Sequence, residues 1–384
     1  MAATRAGLKR RRAEIAVLNV MSLLFYGRVT ANNHPGVRGV QGIVAVNLNY
    51  WSKVLFGVAV TVGLLWWALS SVPFSDVWTS MLAANPWLLL ASSVVVTAGS
   101  LIRAMRWKIF LAAVKPDTRL HSRFASVSIH FMANNILPLR VGEFARAWVL
   151  ARLESVQTSA AFGSLVVERF MDAVVLLCFL VIPVFSQSFP NESALFEGWG
   201  GLVLRAGVAV VLSVLAALVV MVTFPARFIA LARRLVPILP SAIGHRALEV
   251  LESFLGSLSV LRDPKLVALG FLWSFFFWTW HSAAFWLGML AFDIEIGIVA
   301  SLFTTAFVAF GVALPSAPGF LGTFQVAAVF AISDIYGANE TAALAFAFGF
   351  FFVSWLPITA IGLGYVWKLG LSISEIGSAE ERVG

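Results

Sequence analysis

The sequence predicts an all-α polytopic membrane protein built from six full spans and two oppositely oriented re-entrant helical hairpins that form an inverted repeat. Three observations carry this reading. Of the 384 residues, 60% are hydrophobic and only 12% charged, a composition outside the range of soluble domains. Several windows hold about eighteen or more largely apolar residues, enough to cross roughly 30 Å of hydrocarbon as helices. Lysine and arginine alternate between loops rich in them and loops that have none.

The elements follow in order from these facts. Residues 1–52 form a basic cytoplasmic extension, with "LKRRR" near its start, that is expected to be poorly ordered. Apolar spans lie near 54–71, 86–105, 158–185, 201–224, 266–292 and 340–367. The first 53 residues hold eight of the 27 Lys and Arg, the segment from Arg103 to Arg123 six, and the connection from Arg227 to Lys265 six more. The loops at 72–85, 186–200, 293–297 and 334–341 hold none and carry Asp76, Glu192, Glu197, Asp293, Glu295, Asp334 and Glu340 instead. Positive loops stay inside, so both termini are placed in the cytoplasm. A transmembrane domain over 53–367 then contains repeat one at 86–185, an amphipathic cytoplasmic connection at 225–265 and repeat two at 266–367, before a cytoplasmic tail at 368–384. This placement accounts for the net charge of +8 without nucleic acid as a partner. The first apolar run lacks a small-residue cleavage site and reads as a signal anchor. The single cysteine, Cys178, excludes an internal disulfide and a cysteine-based metal site, and no cofactor or metal is expected.

Two apolar stretches enter the membrane but have no opposite side on which to leave. The stretch from Phe124 to about Leu153 is basic at both ends, and the stretch from Ile298 to Ser333 lies between acidic loops free of Lys and Arg. The first is broken by "NNILPLRVGE" at Pro138 and Gly142, the second by "LPSAPGFLGTF" at Pro315, Pro318, Gly319 and Gly322. Non-helical backbone at membrane depth survives only where protein or a water-filled cavity satisfies it. Each returning helix begins at its break, with backbone N–H groups and a positive dipole end at the tip. Both tips are expected to face one central cavity, where Arg140 adds a donor fork suited to phosphate.

The candidate ligand-binding residues gather around this cavity. Asn134 and Asn135 are either helix-end caps or ligands. Glu143 favours the dipole of the returning helix and stands at i,i+3 to Arg146. In "VVERFMDAVV", Glu168, Arg169 and Asp172 lie inside an apolar run and must face the bundle interior. They form either a self-contained ion cluster or a pair with Arg140 or Arg146 that takes up a proton or a cationic headgroup. His130 and His281 have no companion at metal-ligand spacing and read as packing. The aromatic run "FLWSFFFWTWHSAAFW" reads as lipid contact.

The blocks "NNILPLRVGEFARAWVL", "SLVVERFMDAVVLL" and "LPSAPGFLGTFQVA" resemble the membrane domain of lysylphosphatidylglycerol synthases, also found alone as flippase-like proteins of bacteria and archaea. The resemblance covers roughly residues 54–367. It implies a multi-pass cytoplasmic-membrane protein that moves an anionic, amino-acylated or glycosylated lipid between leaflets. It is expected to be no enzyme itself, and to have a lipid-modifying enzyme or glycosyltransferase as a possible partner. Asn134, Pro138, Arg140, Gly142, Glu143, Arg146, Glu168, Arg169 and Asp172 match the first two blocks, and Pro315, Pro318, Gly319 and Gly322 the third. The chain departs from the family at Gln325, where a Glu is common, which removes a carboxylate from the outer hairpin. There is no G-x-x-x-x-G-K-[ST] for ATP, so transport is passive, ion-coupled or driven by a partner. Two other function classes fit the sequence: a glycosyltransferase using a polyprenyl-phosphate sugar, with Asp76 as base, and an accessory subunit.

Overall fold

The computed structural model describes residues 72–185, 223–235, 241–313 and 318–379, with isolated positions between 59 and 69 and between 189 and 220. The extension at 1–52 and most of the expected spans at 54–71 and 201–224 lie outside the described residues, as does Pro315. Every regular element among the described residues is helical. Three helices among them are long and apolar enough to cross a membrane.

Helix α1 (Phe74–Ala83) occupies what the sequence reading treats as an acidic loop. It is short and amphipathic: Val77 is buried while Trp78 and Leu82 are exposed. Pro73 precedes it, where the fixed φ of proline suits a helix entry. Helix α2 (Pro86–Phe110) starts on Asn85, whose side chain accepts from the Trp87 and Leu88 amides, a standard N-cap arrangement. It runs five residues past the expected end of its span and so carries Arg103 and Arg106 within the helix.

Helices α3 (Leu120–Ile136) and α4 (Gly142–Glu154) are joined by a 3-10 turn at Pro138–Arg140. The missing N–H of proline prevents α3 from continuing. Helix α5 (Thr158–Val184) follows after a left-handed Ser155. Its 27 residues carry Glu168, Arg169 and Asp172. Helices α6 (Pro225–Leu235) and α7 (Ser241–Ser257) make up the connection; Phe228 and Ile229 of α6 pack on the core beside Leu255 and Leu258.

The second half repeats the plan. Helix α8 (Pro264–Ala291) is capped by Asp263, which accepts from the Lys265 and Leu266 amides. Helix α9 (Gly297–Gly311) ends before a 3-10 turn at Pro318–Phe320, and α10 (Thr323–Val329) returns and runs into a π-helical turn at Phe330–Ile335. Helix α11 (Glu340–Lys368) and the short α12 (Ile373–Gly377) complete the chain.

The halves pack reciprocally. Helix α2 lies against α8, its counterpart in the other half; α3 lies against α11, and α9 against α5. Each broken pair therefore rests on the closing helix of the opposite half. Small residues allow the close approaches. A Cβ on Gly362 of α11 would stand 2.4 Å from Met132 Cβ and 2.5 Å from the Ser128 carbonyl of α3, so the two backbones nearly touch.

At the mouth of the first broken pair, Glu154 clasps the chain that enters it. Its carboxylate accepts from Lys115 Nζ at 3.0 Å and from the Arg119 backbone amide at 3.2 Å. Burial pushes its carboxyl up, but hydrogen bonds from Ser122, Lys115 and Arg119 outweigh that and hold it down to about 2. A carboxyl depressed in the folded state stabilises above its ordinary value and loses that contribution as pH falls toward the folded value. The thermal midpoint of the detergent-solubilised protein is therefore expected to fall between about pH 4.5 and about pH 2 through this group. Glu154→Gln should remove that part of the pH dependence; an unchanged profile in the variant would rule the clasp out as its source.

Candidate functional site

The site is built from the charges that the apolar chain cannot leave unpaired. Glu168 and Asp172 stand one turn apart on α5 and are 0% and 2% exposed. Burying two carboxylates costs several kcal/mol each unless cations and donors meet them. The cations come from two other helices. Arg146 of α4 forms a two-pronged pair with Glu168, at 2.9 and 2.8 Å. Arg103 of α2 donates from Nε to the same carboxylate at 3.0 Å. Arg106, one turn further along α2, binds Asp172 through Nη1 and Nη2 and stands 3.0 Å from Glu168.

Further donors and rings complete the cluster. Trp278 Nε1 donates to Asp172 at 3.0 Å, and the Ser274 hydroxyl accepts from Arg106 at 3.0 Å, both from α8. Guanidinium planes lie over aromatic faces: Arg146 over Trp107 at 4.0 Å, Arg106 and Arg103 over Phe277 at 4.8 and 5.1 Å. Such contacts hold a desolvated cation. Arg169 differs from these three. Its side chain is 41% exposed, and it approaches Glu143, Glu168 and Asp172 at 3.5, 3.6 and 3.7 Å. Its Nε and Nη2 are buried and make no hydrogen bond. Four arginines, at 103, 106, 146 and 169, face three carboxylates, at 143, 168 and 172, so the cluster carries one positive charge in excess.

The geometry corrects several expectations. Arg103 and Arg106 belong by count to a cytoplasmic basic segment, yet they lie inside α2 and are buried, because the helix continues past residue 105 and the carboxylates on α5 need them. Glu168 and Asp172 are therefore met by Arg103, Arg106 and Arg146 as well as by Arg169, and not by Arg140. Glu143 does not pair with Arg146 one turn along; Arg146 turns to Glu168, and Glu143 faces Arg169 and His130. The aromatic run on α8 is not lipid contact throughout, since Trp278 is buried against Asp172. The i,i+3 approach of Arg169 to Asp172 is present at 3.7 Å.

The two breaks meet each other directly. Arg140 Nη1 donates to the Ala313 carbonyl at 2.9 Å and Nη2 to the Val312 carbonyl, at the C-terminal end of α9. Its guanidinium stands 4.9 Å from the Phe320 ring. Arg140 is thus a bond between the two tips. One amide at the start of each returning helix is already met: Asn134 Oδ1 accepts from Gly142 N at 2.9 Å, and Gln325 Oε1 from Gly322 N at 2.7 Å. Gln325 keeps this cap where a Glu is expected, because either side chain offers the accepting oxygen. Asn135 donates to the Thr359 hydroxyl of α11 at 2.8 Å. Gly319 and Gly322 have φ of 73° and 89°, and a Cβ on Gly319 would lie 3.3 Å from the Asn135 carbonyl. Left-handed backbone and a close approach together require glycine there. Pro138 and Pro318 each open their 3-10 turn.

No solved structure matches the chain. A UPF0104 membrane protein of Methanocaldococcus jannaschii is 27% identical over 106 residues, which is 27% of this chain and 32% of that protein. The chain thus matches about a third of the length of that relative. The family described as "Lysylphosphatidylglycerol synthase TM region" matches residues 54–362, a stretch that holds both breaks and the whole charged cluster. The chain belongs to the lysylphosphatidylglycerol synthase transmembrane-region family.

Proposed function

We propose that this protein is a flippase-like transporter that moves a lipid with a phosphate-bearing headgroup between the leaflets of the cytoplasmic membrane. The observation that carries the reading is the charged cluster with its single positive excess and its half-exposed Arg169. A buried net charge in an apolar protein marks a place where a counter-charge arrives. The headgroup phosphate would lie at Arg169 while the acyl chains stay in lipid.

The two broken helix pairs are read as re-entrant hairpins of an inverted repeat, with six full spans around them and both termini in the cytoplasm. The reciprocal packing of α3 on α11 and α9 on α5 supports that reading, since it is the pattern a pseudo-two-fold axis in the membrane plane produces. Rocking of one repeat against the other would present the headgroup site to each leaflet in turn. The chain is proposed to act as a transporter and not as an enzyme. Partnership with a lipid-modifying enzyme is favoured by the family description, which pairs such a region with a synthase.

Arg169→Gln tests the site. The side chain is 41% exposed and makes no hydrogen bond but is the cation beside Glu143, so the variant should fold with a thermal midpoint lowered by about 2–8 °C. A charge-assisted bond to phosphate contributes about 1.5–3 kcal/mol, so translocation of fluorescent phosphatidylglycerol in proteoliposomes should slow about tenfold or more. Parental rates in a correctly folded variant would remove Arg169 from the headgroup site.

A further inference from the structure

Within the cluster one carboxylate is held differently from the other two. Glu168 and Asp172 have their oxygens engaged by guanidinium groups and by the Trp278 indole. Glu143 has neither. Its Oε1 stands 3.5 Å from Arg169 Nε and its Oε2 3.7 Å from His130 Nδ1. Glu143 Oε2, His130 Nδ1, Arg169 Nε and Arg169 Nη2 are all buried and make no hydrogen bond. Unsatisfied atoms of this kind are rare and costly. Here four belong to three side chains from three helices, α3, α4 and α5, arranged in one chain of contacts.

We propose that anion binding at Arg169 is coupled to uptake of one proton by the His130–Glu143 pair. This rests on the reading of Arg169 as the headgroup site. Arg169 is the cation that Glu143 faces most closely. A singly charged phosphate diester takes over the Arg169 guanidinium. Glu143 then faces His130 without its main counter-charge, in a setting that penalises an unpaired carboxylate. One proton from water is bound between Glu143 Oε2 and His130 Nδ1, and it returns to water when the phosphate leaves. The site charge is the same before and after, because one negative charge and one proton arrive together.

The other groups facing Glu143 do not compete for that proton. They are Arg103 of α2, Arg146 of its own helix and Arg169 of α5, with Glu168 and Asp172 on the far side of Arg169. The arginines stay protonated, and the oxygens of Glu168 and Asp172 are occupied by donors. His130 and Glu143 are left as the two groups with room for a proton. The coupling gives the transporter an ion to move with its lipid.

The test is binding of short-chain phosphatidylglycerol to the purified protein in detergent from about pH 5.5 to about pH 8.5, where a phosphate diester keeps its single charge. Linkage requires the affinity to fall with rising pH by up to tenfold per unit. Titration calorimetry in two buffers of different ionisation enthalpy should show proton uptake on binding. Glu143→Gln should bind more tightly at high pH and show a flat profile. His130→Asn, the second variant, should shift the sloping range to lower pH. Binding of glycerophosphoglycerol, which lacks acyl chains, with the same slope supports the coupling and assigns it to the phosphate diester alone; a slope confined to the lipid supports the coupling and requires the membrane-borne headgroup. Binding of the lipid with no pH slope overturns the coupling and leaves the headgroup site standing. No lipid binding at any pH overturns both.

Discussion

Glu168→Ala is expected to leave little folded protein. Glu168 is fully buried and is the carboxylate on which Arg103, Arg106 and Arg146 converge. Removing it leaves Arg146 without its carboxylate partner and Arg103 and Arg106 with Asp172 alone. Breaking a buried pair on one side costs about 3–5 kcal/mol because the stranded charge has no water to return to. Three stranded partners place this substitution at or above the top of that range, against a total stability of about 5–15 kcal/mol for a typical domain. Arg103 and Arg106 lie on α2, Arg146 on α4 and Glu168 on α5, so the loss loosens three helices together. In detergent the variant should elute as aggregate or melt at least about 10 °C below the parent. Glu168→Gln retains the volume and one acceptor oxygen and should fall between the two. A parental melting temperature for the alanine variant would mean that the cluster does not hold these helices in place.

The long apolar helices α2, α8 and α11 were legible because their length and composition leave no other use for them. The helix breaks at Pro138 and Pro318 were legible because proline and glycine are rarely combined inside apolar runs without a structural cause. The pairing inside the cluster was legible only in part. Counting Lys and Arg by loop assigns Arg103 and Arg106 to the cytoplasmic side, although both stand within one turn of each other near the end of an apolar run. The signal that finds them is a demand: two carboxylates inside α5 need more than one cation, and residues 103 and 106 share a helix face. Trp278 was hidden for a related reason, since an indole N–H that serves a buried aspartate looks in sequence like any other aromatic in a lipid-facing run. Helix α1 escaped because ten residues with a polar face resemble a loop when spans are sought by hydropathy. The roles of Asn134 and Gln325 depend on which amide each oxygen reaches across its turn, and no periodicity encodes that.

Arg140→Ala is expected to stop transport without emptying the headgroup site. Arg140 binds the two carbonyls just past the end of α9 from the tip of the opposite pair and covers Phe320. Both Arg140 and Phe320 have left-handed backbone, with φ of 54° and 64°. Such conformations cost about 1–3 kcal/mol each for residues other than glycine and persist where surrounding contacts over-determine them. The contact between the tips supplies that determination, so a strained pair is held at the point where the two broken helix pairs meet. Loss of the guanidinium removes two bonds from a charged donor, about 3 kcal/mol or more together, and frees both tips. If alternating access needs the tips locked in one of its states, the rate of lipid translocation should fall about a hundredfold. Affinity for short-chain phosphatidylglycerol should change less than about threefold, because Arg169 is untouched. Arg140→Lys carries the charge on a single nitrogen that cannot fork across two carbonyls, so it should recover only part of the rate. The split between rate and affinity separates a lock from a ligand: if Arg140→Ala instead loses affinity while Arg169→Gln keeps it, the headgroup binds at the tips, and the excess charge on α5 serves packing alone.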